Sequence, residues 1–260
     1  MRSWVVAALA VLLLAGSAVQ GLATPVNYGD FLGADLDYLG VTENSPTDPT
    51  PLFEAPTRVG DSLLFFPTNY AATSVNGIPD VTVGILTFEL QATNGNTIDS
   101  LAITELGDYL LTTPGTGTST ATVGGALIIT VLDVFGVPVD FNPTIHFQSD
   151  SLVSTPAAPF VLQNDFFEAN IFTASALIDL ASVVPGATRI QVQFNNILSA
   201  SSTPGTTAFI QKKSINGAVV IEPNPSPGPI VPEPSSAILA LGALVIGAFG
   251  RFWRRRRPRL

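Results

Sequence analysis

The 260-residue chain contains no cysteine, a single histidine, and no methionine after Met1. Without cysteine, neither a disulfide framework nor a thiolate metal site can form. With one histidine, a catalytic base that titrates near neutral pH is limited to His146. Charged residues make up 12% of the chain, about half of the roughly 25% that is usual in soluble domains. These absences exclude thiol chemistry and leave little material for a histidine-based active site.

His146 itself lies in a segment that predicts a strand. Alternation buries Ile145 and Phe147 and turns His146 outward together with Thr144 and Gln148. A serine–histidine–aspartate site would need the imidazole packed against a nucleophile and a carboxylate. The body carries no nucleophile-elbow motif. We therefore interpret His146 as a solvated strand residue.

The few charges are divided unevenly along the chain. Residues 1–23 carry a charge of +1, residues 24–232 carry −15, and residues 233–260 carry +5. The central part is therefore moderately acidic and the extreme C-terminus is basic. An acidic body has no cationic surface with which to neutralise phosphates, so the composition argues against a nucleic-acid partner.

The N-terminus has the pattern of an export signal. Arg2 is followed by the 11-residue apolar stretch Val5–Ala15, which is too short to span a bilayer comfortably. Small residues then lead to Gly21 and Ala23, which offer suitable side chains for cleavage by signal peptidase after Ala23, with cleavage nearer Ala18 as the alternative. We expect residues 1–23 to be a signal peptide; an uncleaved anchor or a buried helix is the alternative.

Proline dominates the segment that precedes the C-terminal end. Residues 222–234 hold six prolines in 13 residues, and proline removes a backbone donor and fixes φ. The sequence therefore predicts that this segment joins neither a sheet nor a helix, and that residues 222–231 form an extended spacer. Next, residues 235–253 are long enough for a transmembrane helix of about 28 Å. The arginines that follow would lie in the cytoplasm.

Three features in order, a Pro-Glu-Pro motif, a hydrophobic helix and an arginine cluster, resemble the PEP-CTERM protein-sorting signal. The motif residues are Val231, Pro232, Glu233 and Pro234. The basic tail consists of Arg251, Arg254, Arg255, Arg256, Arg257 and Arg259. The resemblance covers residues 231–260 and says nothing specific about residues 24–221.

The resemblance implies processing by an exosortase, a membrane-embedded cysteine protease that recognises the tail and cuts near the Pro-Glu-Pro motif. It implies a Gram-negative bacterium, a transient anchor in the inner membrane, and a final location at the cell surface or in an extracellular matrix with exopolysaccharide. A removable anchor of this kind leaves the mature protein without a membrane helix. A plain single-pass anchor with a stop-transfer tail is the alternative.

The body has the pattern of a β protein. Ile190, Val192 and Phe194 alternate with polar residues, as do Leu86, Phe88 and Leu90, and residues 126–134 form a nearly continuous apolar run. About ten short strands separated by Gly, Pro and Asn turns predict an all-β fold, a single jelly-roll-like β-sandwich over residues 24–221. Residues 175–183 could instead form a short helix.

Candidate chemistry in the body is sparse. The acidic residues that concentrate near its N-terminus are suitable oxygen ligands for a structural calcium ion, although they follow no known loop spacing; they are Asp30, Asp35, Asp37, Glu43 and Asp48. Paired carboxylates could also serve a glycoside hydrolase. Clefts that process sugars usually stack them on tryptophan or tyrosine, however, and both tryptophans of this chain lie in the terminal segments. We expect an exported protein that is not an enzyme and has no cofactor; the alternatives are a carbohydrate- or calcium-binding module and a carboxylate-based hydrolase.

Overall fold

The computed structural model describes residues 23–139, 144–149, 160–164, 167–212 and 218–228. These residues are almost entirely β, with one turn of helix, α1 (Leu180–Val183). The strands in chain order are β1 (Val26–Phe31), β2 (Leu36–Asn44), β3 (Thr57–Val59), β4 (Ser62–Phe65), β5 (Ala71–Val75), β6 (Asp80–Ala92), β7 (Asn96–Thr112), β8 (Ser119–Val134), β9 (Val137–Pro138), β10 (Thr144–Ser149), β11 (Phe160–Asn164), β12 (Phe167–Asp179), β13 (Ala187–Ser202), β14 (Thr207–Lys212) and β15 (Val219–Pro227). The chain divides into two compact units, Met1–Pro227 and Gly228–Leu260, and every one of these strands lies in the first.

The strands form two antiparallel sheets, which we call sheet A and sheet B. Sheet A has the order β1-β2-β6-β13-β8-β10, and the short strands β9 and β11 also pair with β8. Sheet B has the order β3-β4-β15-β7-β14-β5, with β12 also paired to β7. Consecutive strands change sheet repeatedly: β5 and β7 belong to sheet B, whereas β6 and β8 belong to sheet A. The all-β prediction is confirmed, and the jelly-roll-like topology stays a prediction.

Strand β7 organises sheet B because it is paired along both edges. Along one edge, the whole of β12 pairs with residues 100–112 of β7, from Phe167 opposite Thr112 to Asp179 opposite Ser100. The other edge is shared by two strands: β14 pairs with residues 107–112 and β15 with residues 96–105. The ends of β14 and β15 therefore meet beside Glu105 and Gly107.

One hydrophobic core lies between the two sheets, and alternation along the strands builds it. Ile190, Val192 and Phe194 are all buried on β13, as the sequence predicts. Phe53, from the loop after β2, is the link between sheets: its ring lies 6.3 Å from that of Phe194 in sheet A and 5.8 Å from that of Phe65 in sheet B. The apolar run at residues 126–134 forms the second half of β8, as expected for a central strand.

The helix alternative for residues 175–183 holds only for the last turn. Strand β12 continues to Asp179, and α1 then occupies Leu180–Val183. Asp179 caps this turn, because its carboxylate accepts a hydrogen bond from the backbone N–H of Ser182 at 3.1 Å.

The prediction that the proline-rich segment joins no sheet is wrong for its first half. Glu222–Pro227 continues β15 and pairs with β7, as far as Pro227 opposite Asn96. Alternate residues of a strand direct their N–H groups to opposite edges, so Pro223, Pro225 and Pro227 remove donors from one edge only. Strand β4 pairs with Val219–Ile221 alone, so beyond Ile221 one edge of β15 has no strand partner in the described part of the chain. An edge of this kind tolerates proline.

The two predicted terminal helices, at residues 1–23 and about 235–253, fall on segments outside the described residues, apart from Ala23. Within the described part of the chain, no helix is long and apolar enough to cross a membrane.

Candidate functional site

The interior of the sandwich holds an ion pair between Lys212 and Glu105. Lys212 ends β14 on the same face as the buried Ala208 and Ile210, and Glu105 lies on the inner face of β7 beside Ile103. The Lys212 Nζ to Glu105 Oε2 distance is 2.5 Å, and neither side chain is exposed to solvent. Strand alternation therefore places both side chains on the inner face of sheet B, in the core between the two sheets.

Asn196 brings a third polar group to the same point from sheet A. Its Nδ2 donates a hydrogen bond to Oε1 of Glu105, and Nδ2 also lies 3.4 Å from the carbonyl oxygen of Gly124. Its Oδ1 is buried and accepts no hydrogen bond from the described residues. We call Glu105, Lys212 and Asn196 the interior cluster: one carboxylate that holds an amine on one oxygen and an amide on the other.

Tyr70 closes the interior cluster on one side. The Lys212 Nζ lies 5.3 Å from the centroid of the Tyr70 ring, within range of a cation–π contact. The Tyr70 hydroxyl donates to the backbone carbonyl of Asn196 at 2.6 Å and accepts from the backbone N–H of Gly84 at 2.7 Å. Complete burial raises the pKa of Tyr70 well above its ordinary value, so the phenol stays protonated.

Burial works against the charged form of the Lys212 amine. Burial lowers the pKa of Lys212, and the neighbouring Glu105 opposes this shift. An ammonium group carries three donors, yet among the described residues Lys212 Nζ has one oxygen partner, Glu105. Replacing a buried ion pair by apolar residues is often neutral or stabilising, by about 1–4 kcal/mol. Stability alone therefore does not account for these three residues in the core.

A second buried carboxylate, Glu43 on β2, has a different environment. Oε2 accepts from the Tyr28 hydroxyl at 2.5 Å and from the Phe53 N–H at 3.1 Å, and Oε1 accepts from the Leu52 N–H. Burial raises the pKa of Glu43, partly offset by these hydrogen bonds. Every partner of this carboxylate is a donor, and two are backbone groups of the loop that carries Phe53. Glu43 therefore fastens this loop to sheet A.

The outer face of sheet A carries a shallow depression of about 310 Å³. It is lined by Leu39, Gly40, Thr87, Phe88, Glu89 and Gln191. At its rim, Arg189 donates to Oε2 of Glu89 from Nε at 2.9 Å and from Nη2 at 2.7 Å, and its Nη1 lies 4.0 Å from Asp133. The Phe88 side chain points into the core and is 1% exposed, so the depression offers hydrogen-bonding groups but no exposed aromatic ring.

The site residues predicted from sequence lie mostly beyond the described residues. Ala23, the predicted cleavage position, is described and precedes β1 by three positions. The motif residues Val231–Pro234 and the tail arginines from Arg251 to Arg259 fall outside. His146 lies on β10 with its backbone opposite Ile128 of β8, and its side chain is outside the described part.

The acidic residues considered for calcium are dispersed. Asp30 accepts from the N–H of Gly40, Asp37 from the N–H of Gly33, and Asp35 from the side chain of Asn96. Nowhere in the described ranges do three or more histidine, cysteine, aspartate or glutamate side chains come together as a metal site. These three carboxylates therefore bind donors of three different residues.

Sequence reasoning did not single out the interior cluster, although a signal was present. The same period-two alternation that marks Val192 and Phe194 as buried also assigns Asn196 to the inner face of β13. It assigns Glu105 and Lys212 to the inner faces of their strands as well. Three polar residues at core positions of separate strands are the kind of exception that marks a site.

Comparison with known proteins identifies the C-terminal segment. The family model for the PEP-CTERM protein-sorting motif matches residues 231–257, which confirms the resemblance drawn from the sequence. The motif supports export of the chain and its sorting to the cell surface by an exosortase. No curated protein matches the chain.

Several solved structures show weak likeness to the chain. The enzymatically active domain of bacteriophage CBA120 tailspike protein 4 is 17% identical over 77% of this chain, with a TM-score of 0.17, and this chain spans 19% of its length. TmCBM61, solved in complex with β-1,4-galactotriose, is 9% identical over 62% of this chain and 74% of its own, with a TM-score of 0.16. The infectious bursal disease virus Gx strain structure is 13% identical over 84% of this chain and 57% of its own, with a TM-score of 0.20. Likeness at this level carries no argument about function.

Proposed function

We propose that this chain is an exported, non-catalytic β-sandwich protein of the cell surface or extracellular matrix, and that an exosortase removes its tail near the Pro-Glu-Pro motif. The observation that carries the proposal is the PEP-CTERM match at residues 231–257. The inner membrane holds the chain transiently, and signal peptidase removes residues 1–23. The acidic, two-sheet body is the part that reaches the final location, where exopolysaccharide is its proposed neighbour.

The composition of the body supports a structural role. It carries no cysteine or tryptophan, and its one histidine lies on an outer strand of sheet A. Its surface depression offers amide, hydroxyl and carboxylate groups without a metal-binding cluster among the described residues. A β-sandwich that presents polar strand faces is suited to a matrix component.

The intact mass of the mature protein tests both processing steps. We expect a chain that begins near Thr24 and ends near Pro232–Pro234. A mature form that retains the arginines at 254–257 would identify a permanent single-pass anchor instead. Cells that lack the exosortase supply the control, because there the tail should remain attached while the N-terminus is still cleaved.

Deletion of residues 232–260 separates export from sorting. The truncated chain keeps its N-terminal signal, so we expect export to continue and the surface fraction to fall. Cell fractionation measures this, with the full-length chain as the reference. An unchanged distribution between membrane, surface and medium would contradict the proposed role of the tail.

The depression on sheet A supports one second candidate, a carbohydrate-binding module. Glu89, Gln191 and Thr87 supply donors and acceptors on an open sheet face, as small polar ligands require. Isothermal titration calorimetry with soluble oligosaccharides tests it, with Gln191→Ala and Thr87→Ala as variants. Heats that are equal for the wild type and both variants would remove this candidate.

A further inference from the structure

We propose that Lys212 and Asn196 become joined by an intramolecular amide bond, formed by the folded protein itself with Glu105 as the catalytic residue. The bond would link β14 of sheet B to β13 of sheet A through the centre of the core. This modification goes beyond the proposed sorting and surface function and does not depend on it.

The first support is the position of the two nitrogens. Lys212 Nζ lies on one oxygen of the Glu105 carboxylate, and Asn196 Nδ2 donates to the other. The two nitrogens therefore share one carboxylate, and Glu105 is the group through which the amine and the Asn196 amide are held at the same point of the core. A nucleophile and an electrophile held in a fixed geometry react without the entropy cost of encounter.

The second support is the burial of all three residues. Lys212 is 2% exposed, and Glu105 and Asn196 are 0% exposed. A dry site favours an uncharged amine over an ammonium ion, consistent with the lowered pKa of Lys212. It also keeps water from competing for the amide carbon.

The reaction is balanced without an oxidant, a reductant or a cofactor. Lys212 first passes a proton to Glu105, which leaves a neutral amine and a neutral carboxylic acid. The Nζ lone pair attacks Cγ of Asn196, and the carbonyl electrons move to Oδ1. Glu105 gives its proton to Nδ2 and takes one from Nζ. The bond from Cγ to Nδ2 then breaks, the carbonyl re-forms, and one ammonia molecule leaves.

The contacts of Glu105 match both proton transfers. Oε2 contacts the amine that must lose a proton, and Oε1 contacts the amide nitrogen that must gain one before it leaves. A group within hydrogen-bond reach of both nitrogens can act as base and then as acid. No other carboxylate among the described residues forms a hydrogen bond or ion pair with Lys212.

The amide product would also give hydrogen-bond partners to polar groups that lack them in the unreacted ion pair. In the unreacted site, Asn196 Oδ1 accepts no hydrogen bond from the described residues, and the ammonium group has one oxygen partner. After reaction the core holds a neutral amide and a neutral carboxylic acid, and the acid can donate to the new carbonyl oxygen. The cost of burying two full charges is thereby removed.

A covalent link at this point would suit an exported chain without cysteine. The bond closes the segment 196–212, which runs from the middle of β13 in sheet A to the end of β14 in sheet B. A cross-link stabilises a fold largely by limiting the freedom of the unfolded chain. An amide does so without depending on an oxidising compartment.

Peptide mapping of the full-length protein tests the bond directly. Trypsin cuts after Arg189, Lys212 and Lys213 in this region. A linked Lys212 is not cut, so we expect a peptide of residues 190–213 whose mass is lower by one ammonia, with no fragment ions from inside 196–212. A peptide of residues 190–212 at its full mass would overturn the proposal. The peptide is internal, so terminal processing does not affect the result.

Variants separate this bond from other losses of ammonia. A succinimide at Asn196 has the same mass change but leaves Lys212 open to trypsin and persists in Lys212→Met. Glu105→Gln keeps both partners, and we expect no link to form in it. Lys213→Arg, next to the reacting residue, is the matched control and should retain the full loss of ammonia. A link that forms undiminished in Glu105→Gln would remove the assigned role of Glu105.

Discussion

The hydroxyl of Tyr70 lies between two residues that face each other across β6 and β13, Gly84 and Asn196. It accepts from the Gly84 N–H at 2.7 Å and donates to the Asn196 carbonyl at 2.6 Å. A side chain from the loop before β5 thus satisfies backbone groups in the middle of sheet A. The same ring faces Lys212, so Tyr70 connects the sheet backbone to the interior cluster.

Tyr70→Phe should lower the free energy of unfolding by roughly 1–3 kcal/mol, because a buried N–H and a buried carbonyl lose their shared partner. The ring and its packing are retained, so the change isolates the hydroxyl. Urea denaturation followed by circular dichroism measures the effect. A midpoint equal to that of the wild type would show that Gly84 and Asn196 are satisfied without this hydroxyl.

Gly84→Ala should destabilise the protein by about 1–3 kcal/mol, through overpacking of the core. A Cβ at this position would lie 2.6 Å from Cε2 of Phe53 and 2.7 Å from the Tyr70 hydroxyl oxygen. Gly124→Ala on β8 is the matched control, since a Cβ added there meets no atom within 4 Å. Differential scanning calorimetry of the two variants compares them, and equal melting temperatures would contradict the predicted clash.

Glu43→Gln should flatten the dependence of stability on pH. The pKa of Glu43 is raised in the folded protein, mainly by burial, so the folded state binds this proton more tightly than the unfolded state. The contribution to stability is therefore fully present below the ordinary value of 4.5 and is lost as the pH rises through the folded pKa.

Urea unfolding at a series of pH values from 4 upward, in steps of about one unit, measures this slope. The wild type should lose more stability across the series than Glu43→Gln. Glu222→Gln, at an exposed position on β15, serves as the control and should keep the wild-type slope. A slope in Glu43→Gln that is equal to or steeper than that of the wild type would contradict the assignment.

Changing the four arginines at 254–257 to glutamine should reduce the proposed removal of the tail, because in the proposed topology their positive charge would hold the end of the hydrophobic segment on the cytoplasmic side. Mass spectrometry of the exported protein measures the fraction that retains residues beyond 234. Four lysines at the same positions keep the charge and should restore processing. Normal processing of the glutamine variant would show that charge at these positions is dispensable.

Local periodicity accounts for much of the fold. The alternation of Ile190, Val192 and Phe194 predicts β13 and its buried face, since side chains in a strand follow a period of two. The separate argument from proline chemistry fails at Pro223 and Pro225, because it treats every proline as a bar to strand pairing. Whether a proline is tolerated depends on whether a neighbour needs its N–H, and that neighbour is set by sheet order.

The interior cluster shows more clearly what local periodicity cannot predict. Alternation alone can assign Glu105, Asn196 and Lys212 to inner faces, but not to one another. Asn196 and Lys212 lie 91 and 107 positions from Glu105 in the chain. Their meeting requires β7 and β14 to be neighbours in sheet B and β13 to lie across from them in sheet A. That arrangement is a property of topology, which a strand-by-strand pattern does not contain.

The pairing of β15 with β7 has a mechanical consequence. Strand β15 ends at Pro227, four positions before Val231. A force that pulls on the chain beyond the body is therefore transmitted directly to β15. Pulled along its length, β15 loads its hydrogen bonds to β7 together, in shear, and they do not open one at a time. Because β7 is held by β12 along its other edge, the load spreads into the middle of sheet B. A tethered body would therefore resist extraction with a whole ladder of bonds.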